Sequence, residues 1–526
     1  MADGSNGRVV VLGGGHNGLV AAAYLGKRGL NPLVLERRDV VGGAAVTEEI
    51  APGFRVSALA HTAGPLDNRV AKDLELETHG LRLLAADPRL VALSPDGRAA
   101  AFHTDAARTS AELSRFSRKD AEKYPELVAS LAKIAGVLGP LLASTPPAVD
   151  APSIPDLMGL AKVGNGFRKL PKRDAYRLLR WGPMAVADFA SEWFETELFR
   201  AVLAARGIFG TFAGPWSAGT TATYLLSAAA EPHPAGSGSL VAGGLGALSN
   251  ALASSARAAG AEIRTGAEVK RIVVRDGAAT AVVLGSGEEI PARAVVSNAD
   301  PKRTFLSLLD PIDLGPDFLD KARNIRAVGT VAKVNLALKE APRFTGLDAL
   351  PPGRIHVGPS IDDLERAFDA AKYGGFAKEP VLDVTIPSVL DPSLAPAGAH
   401  VMSIAMQFAP YKLGNGSSWG DTRDSLGDAV LACLERYAPG LGALVVARQV
   451  LTPADLESVY GLTGGHPFHG EPALDQLYTM RPILGWARYR TPIKGLYLCG
   501  AGTHPGGGVS GTPGANAARE IAKDLK

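Results

Sequence analysis

The chain has 526 residues, 46% of them hydrophobic, which is more than one domain of ordinary size holds and enough for a substantial core. Lys+Arg 55 against Asp+Glu 53 leaves no global charge to recruit nucleic acid or an acidic polymer. The only two cysteines, Cys433 and Cys499, exclude a C-x-x-C dithiol and a zinc or iron–sulfur cluster; they read as buried apolar residues of a protein in a reducing compartment.

Met1–Gly7 is short and polar and Val9–Leu12 too brief for a signal-peptide core, so no secretion signal is expected. The expected location is the cytoplasm or an organelle matrix. Arg8–Leu12 reads as a strand that ends in Gly13-Gly14-Gly15, Leu19–Lys27 as a helix and Pro32–Glu36 as a second buried strand. Together they form a β-α-β unit with G-x-G-x-x-G spacing over Gly13–Gly18. Gly13 permits the tight turn, Gly15 the approach of a pyrophosphate, and Gly18 close packing of helix on strand. Glu36, 18 residues after Gly18, is placed to receive a ribose diol. Val41-Gly42-Gly43-Ala44 brings a second backbone segment to the dinucleotide, an extension that a simple nicotinamide dehydrogenase does not need and that favours FAD.

Residues 105–235 change character, rich in Ala and Leu at helical spacing. Ser117-Arg118-Lys119-Asp120 fits a capping signature. A break is expected at Pro125, after which Leu127, Leu131, Ile134, Leu138 and Leu141 share one face. That face is read as packed on its own core, with membrane contact as the alternative. Leu127–Ala143 is the most apolar run, but it carries Lys133 and is interrupted at Gly139-Pro140. Pro146-Pro147 and Pro152/Pro155 are read as a loop, and Glu231–Ser239 as another. Strands are expected at Glu262–Arg264, Val269–Arg275, Thr280–Leu284 and Ala294–Ser297, with a hairpin turn at Asp276-Gly277. Gly243-Gly244-Leu245-Gly246 follows no clear strand with an acid at its tip, so no stable NAD(P) site is expected. Near the C-terminus a strand over Gly495–Gly500 leads into a stretch with seven glycines in fifteen residues, Gly500–Gly514, and a helix beginning near Gly514. Such a stretch lets backbone approach a flat ligand.

The segments VLGGGHNGLVAAAYL (Val11–Leu25), GGAAVTEE (Gly42–Glu49), AVVSNADP (Ala294–Pro301), LDQLYTMRP (Leu474–Pro482) and LYLCGAGTHPGGGVSGTPG (Leu496–Gly514) carry a resemblance. They resemble the carotenoid- and phytoene-desaturase branch of the flavin amine oxidase superfamily. Within it, the chain is most similar to the desaturase-type beta-carotene ketolases and to the group named pyridine nucleotide-disulphide oxidoreductase domain-containing protein 2. The resemblance implies an α/β fold: a Rossmann-like FAD-binding domain of the glutathione-reductase/amine-oxidase type, a mixed-sheet substrate domain and a helical section. It divides the chain into 1–75, 240–305 and 475–526 for FAD, 105–235 for the helical section, and 306–474 for the substrate sheet and helices. Gly13, Gly15, Gly18, Glu36, Arg37, Gly43 and Ala44 would bind FAD. Val269 would offer backbone to the adenine, and Gly500, Gly511 and Thr512 would lie near pyrophosphate and flavin.

No metal site and no catalytic residue is assigned, and His61, His469 and His504 are read as structural. Ala501 and Gly502 stand where many flavoproteins place an acid, a departure that carotenoid desaturases share. Three functions are compatible with this reading. One is an FAD-dependent oxidoreductase for a hydrophobic small-molecule substrate, isoprenoid-like, with peripheral membrane contact. The second is an amine-oxidase-like enzyme for a small polar substrate, and the third a flavin-stabilised regulatory protein with little turnover. The oligomeric state is not legible.

Overall fold

A computed structural model describes residues 7–526; residues 1–6, part of the stretch searched for a secretion signal, lie outside the described residues. Two seven-stranded sheets organise the chain. In the first, Arg8–Leu12 lies parallel between Glu289–Ser297 and Leu33–Leu35, and Leu33–Leu35 continues to Glu262–Arg264. Val9–Leu12 is buried on both faces, as its unbroken β-branched run demands of a central parallel strand. Glu289–Ser297 serves two neighbours on one side. Its first residues pair antiparallel with Ala278–Leu284 and its last residues parallel with Leu496–Leu498. Asp276 and Gly277 both take positive φ at the hairpin joining Val269–Arg275 to Ala278–Leu284.

Helices His16–Gly26, Leu245–Ala258 and Thr512–Asp524 pack on this sheet through Leu19, Val20, Leu248, Leu252, Ala517 and Ile521. Two of them begin earlier than their sequence pattern indicates. The N-terminal helix opens at His16 rather than Leu19, and the C-terminal helix at Thr512 rather than Gly514.

The second sheet runs in the order Val445–Leu451, Val331–Leu338, His400–Gln407, Val381–Thr385, Arg354–Val357, Leu90–Leu93, Ala99–Phe102. Its last two strands come from a stretch that the sequence reading gave to no domain. Val331–Leu338 is buried at all eight positions. Helices Arg118–Leu142, Val186–Trp193, Glu197–Ile208 and Thr220–Ala230 share a core around Tyr124, Leu127, Phe189, Phe199 and Tyr224.

Three local expectations are corrected. Pro125 does not break the helix, which runs from its Ser117 cap to Leu142 with Pro125 and Pro140 inside. Tyr124 and Leu127, on either side of Pro125, are held in one core, and packing outweighs the lost backbone bond. The Pro152/Pro155 region is not all loop: Ile154–Arg168 is a helix with Pro155 in its first turn, where no N–H is needed, and Ser153 and Asp156 cap it reciprocally. Gly243-Gly244 does follow a strand, Ser239–Val241, but that strand pairs with Leu83–Ala85 in a separate two-stranded ribbon.

Candidate functional site

Where the first strand ends, Gly13 turns with φ +92°. A Cβ on Gly15 would sit 2.7 Å from the Asn298 side-chain nitrogen, and one on Gly18 2.2 Å from the Gly13 carbonyl oxygen. Close packing therefore explains why neither position admits a side chain. Gly42 donates its N–H to the Gly14 carbonyl (2.8 Å), drawing the second glycine pair against the first. Glu36 is buried at the tip of the second strand, and its carboxylate accepts from the backbone N–H groups of Gly14 (2.8 Å) and Arg38 (2.9 Å).

These segments surround a pocket of about 210 Å³ whose wall includes Gly13, Gly15, Glu36, Arg37, Gly43, Ala44 and Val269. The remaining expected residues lie elsewhere. Gly18 sits behind the wall, between helix and strand. Gly500 packs on the end of Glu289–Ser297, where a Cβ would meet the Asn298 carbonyl at 2.7 Å. Gly511 takes φ +74° as the cap of the last helix and packs on Val20 and Val70. Thr512 faces a second, larger cavity.

Sequence reasoning did not single out His16 or Asn298, which also line the first pocket, and it gave His469 no ligand role. His16 Nε2, Asn17 Oδ1 and His469 Nδ1 are buried without a hydrogen-bond partner. Burial brings His16 down to about 4, with His469 adding to the effect. A buried acid at a strand tip, free N–H groups at a helix N-terminus and unpartnered polar atoms around a glycine cradle are what a dinucleotide requires. His504 Nε2 lies 2.9 Å from the Leu141 carbonyl while its Nδ1 is buried without a partner, and burial lowers the ring to about 4.

The larger cavity, about 750 Å³, adjoins the first. Leu59, Ala60, Phe209, Ala405, Phe468, Gly508 and Val509 line both. Phe209 and Phe468 meet edge to face with centroids 6.0 Å apart. The Phe468 ring lies between Gly210 and Gly507, where added Cβ atoms would come within 2.5 and 2.2 Å of it. Beyond this junction the walls include Leu90, Leu142, Val202, Ile208, Leu226 and Val381.

One polar chain reaches the cavity from the second sheet. Lys333 is fully buried in Val331–Leu338, and its Nζ lies 2.9 Å from His61 Nδ1. His61 and Asp383 both line the cavity, with His61 Nε2 3.8 Å from Asp383 Oδ2, and Arg354 donates to Asp383 at 2.7 Å. Burial pulls Lys333 down to about 7. Burial, reinforced by Lys333, takes His61 to about 4. For Asp383 burial acts upward, but Arg354 and His61 outweigh it and hold the carboxyl well below the usual range. Lys333 escaped sequence reasoning because it reads as one cation in an otherwise ordinary strand; its single visible signal is a charge inside an apolar alternation.

Residues 18–522 match the family described as flavin containing amine oxidoreductase. The chain is 39% identical to pyridine nucleotide-disulfide oxidoreductase domain-containing protein 2 of Rattus norvegicus, over 98% of this chain and 93% of the relative. It is 30% identical to one component of the limonene dehydrogenase of Castellaniella defragrans (98% and 94% covered). It is 28% identical to the neurosporene-forming phytoene desaturase of Rhodobacter capsulatus (97% and 92%). Among solved structures, a triple mutant of putrescine oxidase superposes with a TM-score of 0.63 at 16% identity, over 98% of both chains, and shares the fold.

Proposed function

The chain belongs to the flavin containing amine oxidoreductase family and is an FAD-dependent oxidoreductase; from that premise we propose that it dehydrogenates a hydrophobic, isoprenoid-like substrate. The observation that carries this reading is the larger cavity, mainly apolar and joined to the dinucleotide pocket through a shared wall. Two relatives named for limonene and phytoene support the same substrate class.

FAD, when bound, supplies the hydride acceptor. The residues of the chain do the rest. Phe209 and Phe468 confine the substrate at the junction and keep water from it. Loss of a hydride from one carbon and a proton from its neighbour leaves a double bond, and His61 Nε2 takes the proton. That requires Lys333 to be neutral and to accept the Nδ1 hydrogen of His61, which leaves the Nε2 lone pair, 3.8 Å from Asp383 Oδ2, free to take a proton. With Lys333 charged, Nδ1 is the acceptor and Nε2 already bears hydrogen.

A lipid surface as the source of substrate is part of the proposal. Helix Ile154–Arg168 has no buried residue, and Ile154 and Met158 are 75% and 68% exposed, with Leu157 beside them. Lys162, Arg168, Lys169 and Lys172 follow and enter no salt bridge among the described residues. An apolar helix face followed by unpaired cations suits an anionic bilayer. Residues 144–153 connect the helix to the segment whose Gly139, Pro140, Leu142 and Ala143 line the cavity. The cytoplasm or an organelle matrix remains the proposed compartment.

The test is anaerobic mixing of the FAD-loaded protein with detergent-dispersed monoterpene and longer isoprenoid hydrocarbons, and separately with putrescine, following flavin absorbance. Bleaching by the hydrocarbons supports the proposal. Bleaching by the diamine alone replaces it with amine oxidation, and no bleaching by any donor favours a flavin-stabilised regulatory protein.

A further inference from the structure

Every arginine on the wall of the dinucleotide pocket is already committed. Arg37 donates to the carbonyls of Ser458 and Val459, Arg38 to Glu48 and the Gly43 carbonyl, and Arg303 lies 3.8 Å from Glu268. Two imidazoles on the same wall each keep one ring nitrogen without a partner. His16 is the first residue of the helix whose N-terminus faces the pocket, and its Nε2 has no partner. His469 is equally unpartnered at Nδ1 and is close enough to His16 for the two rings to repel each other's protonation.

The backbone makes an independent point about His469. Its φ is +58°, a left-handed conformation that costs a residue with a side chain about 1 kcal/mol or more and glycine little. Glycines stand nearby at Gly464, Gly465 and Gly470, all with positive φ, yet this position keeps an imidazole. The strain is maintained for the side chain.

We propose that His16 and His469 clamp the pyrophosphate of FAD from two sides, and that the pair takes up a proton as the cofactor binds. Without ligand, burial keeps both rings neutral. Burial is the largest influence on each ring, and the groups that face them act in both directions. His469 sees Asp300, which favours its charge, and Arg481, which disfavours it, and it lies close enough to His466 to lower that ring. His16 sees His469 and the Gly508 carbonyl, while Glu36 is bonded to Gly14 and Arg38. A doubly negative pyrophosphate at the helix N-terminus reverses this balance. An opposite charge at contact distance raises a titrating group by about 1–3 pH units, which carries the value near 4 for His16 toward neutrality. The pyrophosphate diester itself has no group that titrates in that range.

The experiment is titration of the deflavinated full chain with FAD, read by quenching of flavin fluorescence at several pH values between about 5.5 and 7.5. Uptake of one proton makes Kd rise with pH, by up to about tenfold per pH unit. His16→Gln and His469→Gly are each expected to weaken FAD by about tenfold and to flatten the pH dependence. The glycine variant relieves the positive φ, so its thermal stability without cofactor should equal or exceed that of the parent, which separates a ligand role from a structural one. A Kd independent of pH, or a double variant that binds FAD as the parent does, overturns the clamp. Failure of the parent chain to bind FAD at any pH would instead overturn the cofactor assignment and take the clamp with it.

Discussion

Replacing Lys333 by Met tests what a buried ammonium does in this fold. Its ordinary value of 10.5 is brought down to about 7 by burial, and Asp383 opposes that only in part. The folded state therefore holds fewer protons than the unfolded state between these values, and stability falls as pH drops from 10.5 toward 7. A depression of this size corresponds to about 4 kcal/mol at pH 7, where the folded-state group is half titrated, and about 2 kcal/mol at pH 9. Met fills nearly the same volume without the charge. Loss of the bond to His61 and imperfect packing return about 2 kcal/mol, so Lys333→Met should stabilise the fold by about 2 kcal/mol at pH 7 and by little at pH 9. Urea unfolding of parent and variant at both pH values gives the measurement. The variant should also lose flavin reduction by substrate while retaining FAD, since His61 then lacks the amine that accepts its Nδ1 hydrogen. Parallel stability profiles for parent and variant, or a variant less stable at pH 7, would refute the reasoning.

In single-turnover reduction, the rate should rise through about pH 7 as Lys333 gives up its proton; a flat profile from about pH 6 to 8 counts against the His61–Lys333 pair. Glu36→Gln halves the carboxylate grip on the N–H groups of Gly14 and Arg38, and its FAD Kd should rise by about ten- to a hundredfold in a fluorescence titration. Gly507→Ala places a methyl 2.2 Å from the Phe468 ring and must turn that ring; KM for the hydrophobic substrate should change at least several-fold in steady-state assays, and an unchanged KM removes the ring from the substrate's path. Leu157→Glu with Met158→Glu should abolish co-sedimentation with phosphatidylserine-containing vesicles; an unchanged bound fraction removes helix Ile154–Arg168 from the proposed lipid contact.

The first sheet was legible because its signals are local. Gly13, Gly15 and Gly18 stand at fixed offsets between a β-branched strand and a helix, and Asp276-Gly277 marks a hairpin with the two residues that the turn needs. The helix starting at Ile154 was legible in principle, since Ser153 and Asp156 form a capping box, but the surrounding prolines hid it. Pro125 misled because propensity describes an isolated helix, and here Tyr124 and Leu127 are held by the rest of the core. The His61–Lys333–Asp383 chain could not be read at all. Its members lie on three distant segments, and only the second sheet, which sets Lys333 opposite Ala405 and Asp383 opposite the same residue, brings them together. Gly500 and Gly511 meet a packing requirement that looks the same in sequence as a ligand contact.

The threefold origin of the first sheet bears on how the protein matures. Leu496–Leu498 closes against Glu289–Ser297, and the helix from Thr512 packs on the one that opens at His16. A ribosome extending the chain from its first residues exposes Gly13–Glu36 long before those partners exist. Contacts of such sequence separation form slowly, and the early segments remain uncovered meanwhile. The cradle is finished only after the last helix has emerged, so loading with cofactor is a post-translational event. Until then, the side of Glu289–Ser297 that Leu496–Leu498 will cover stays an unpaired strand edge.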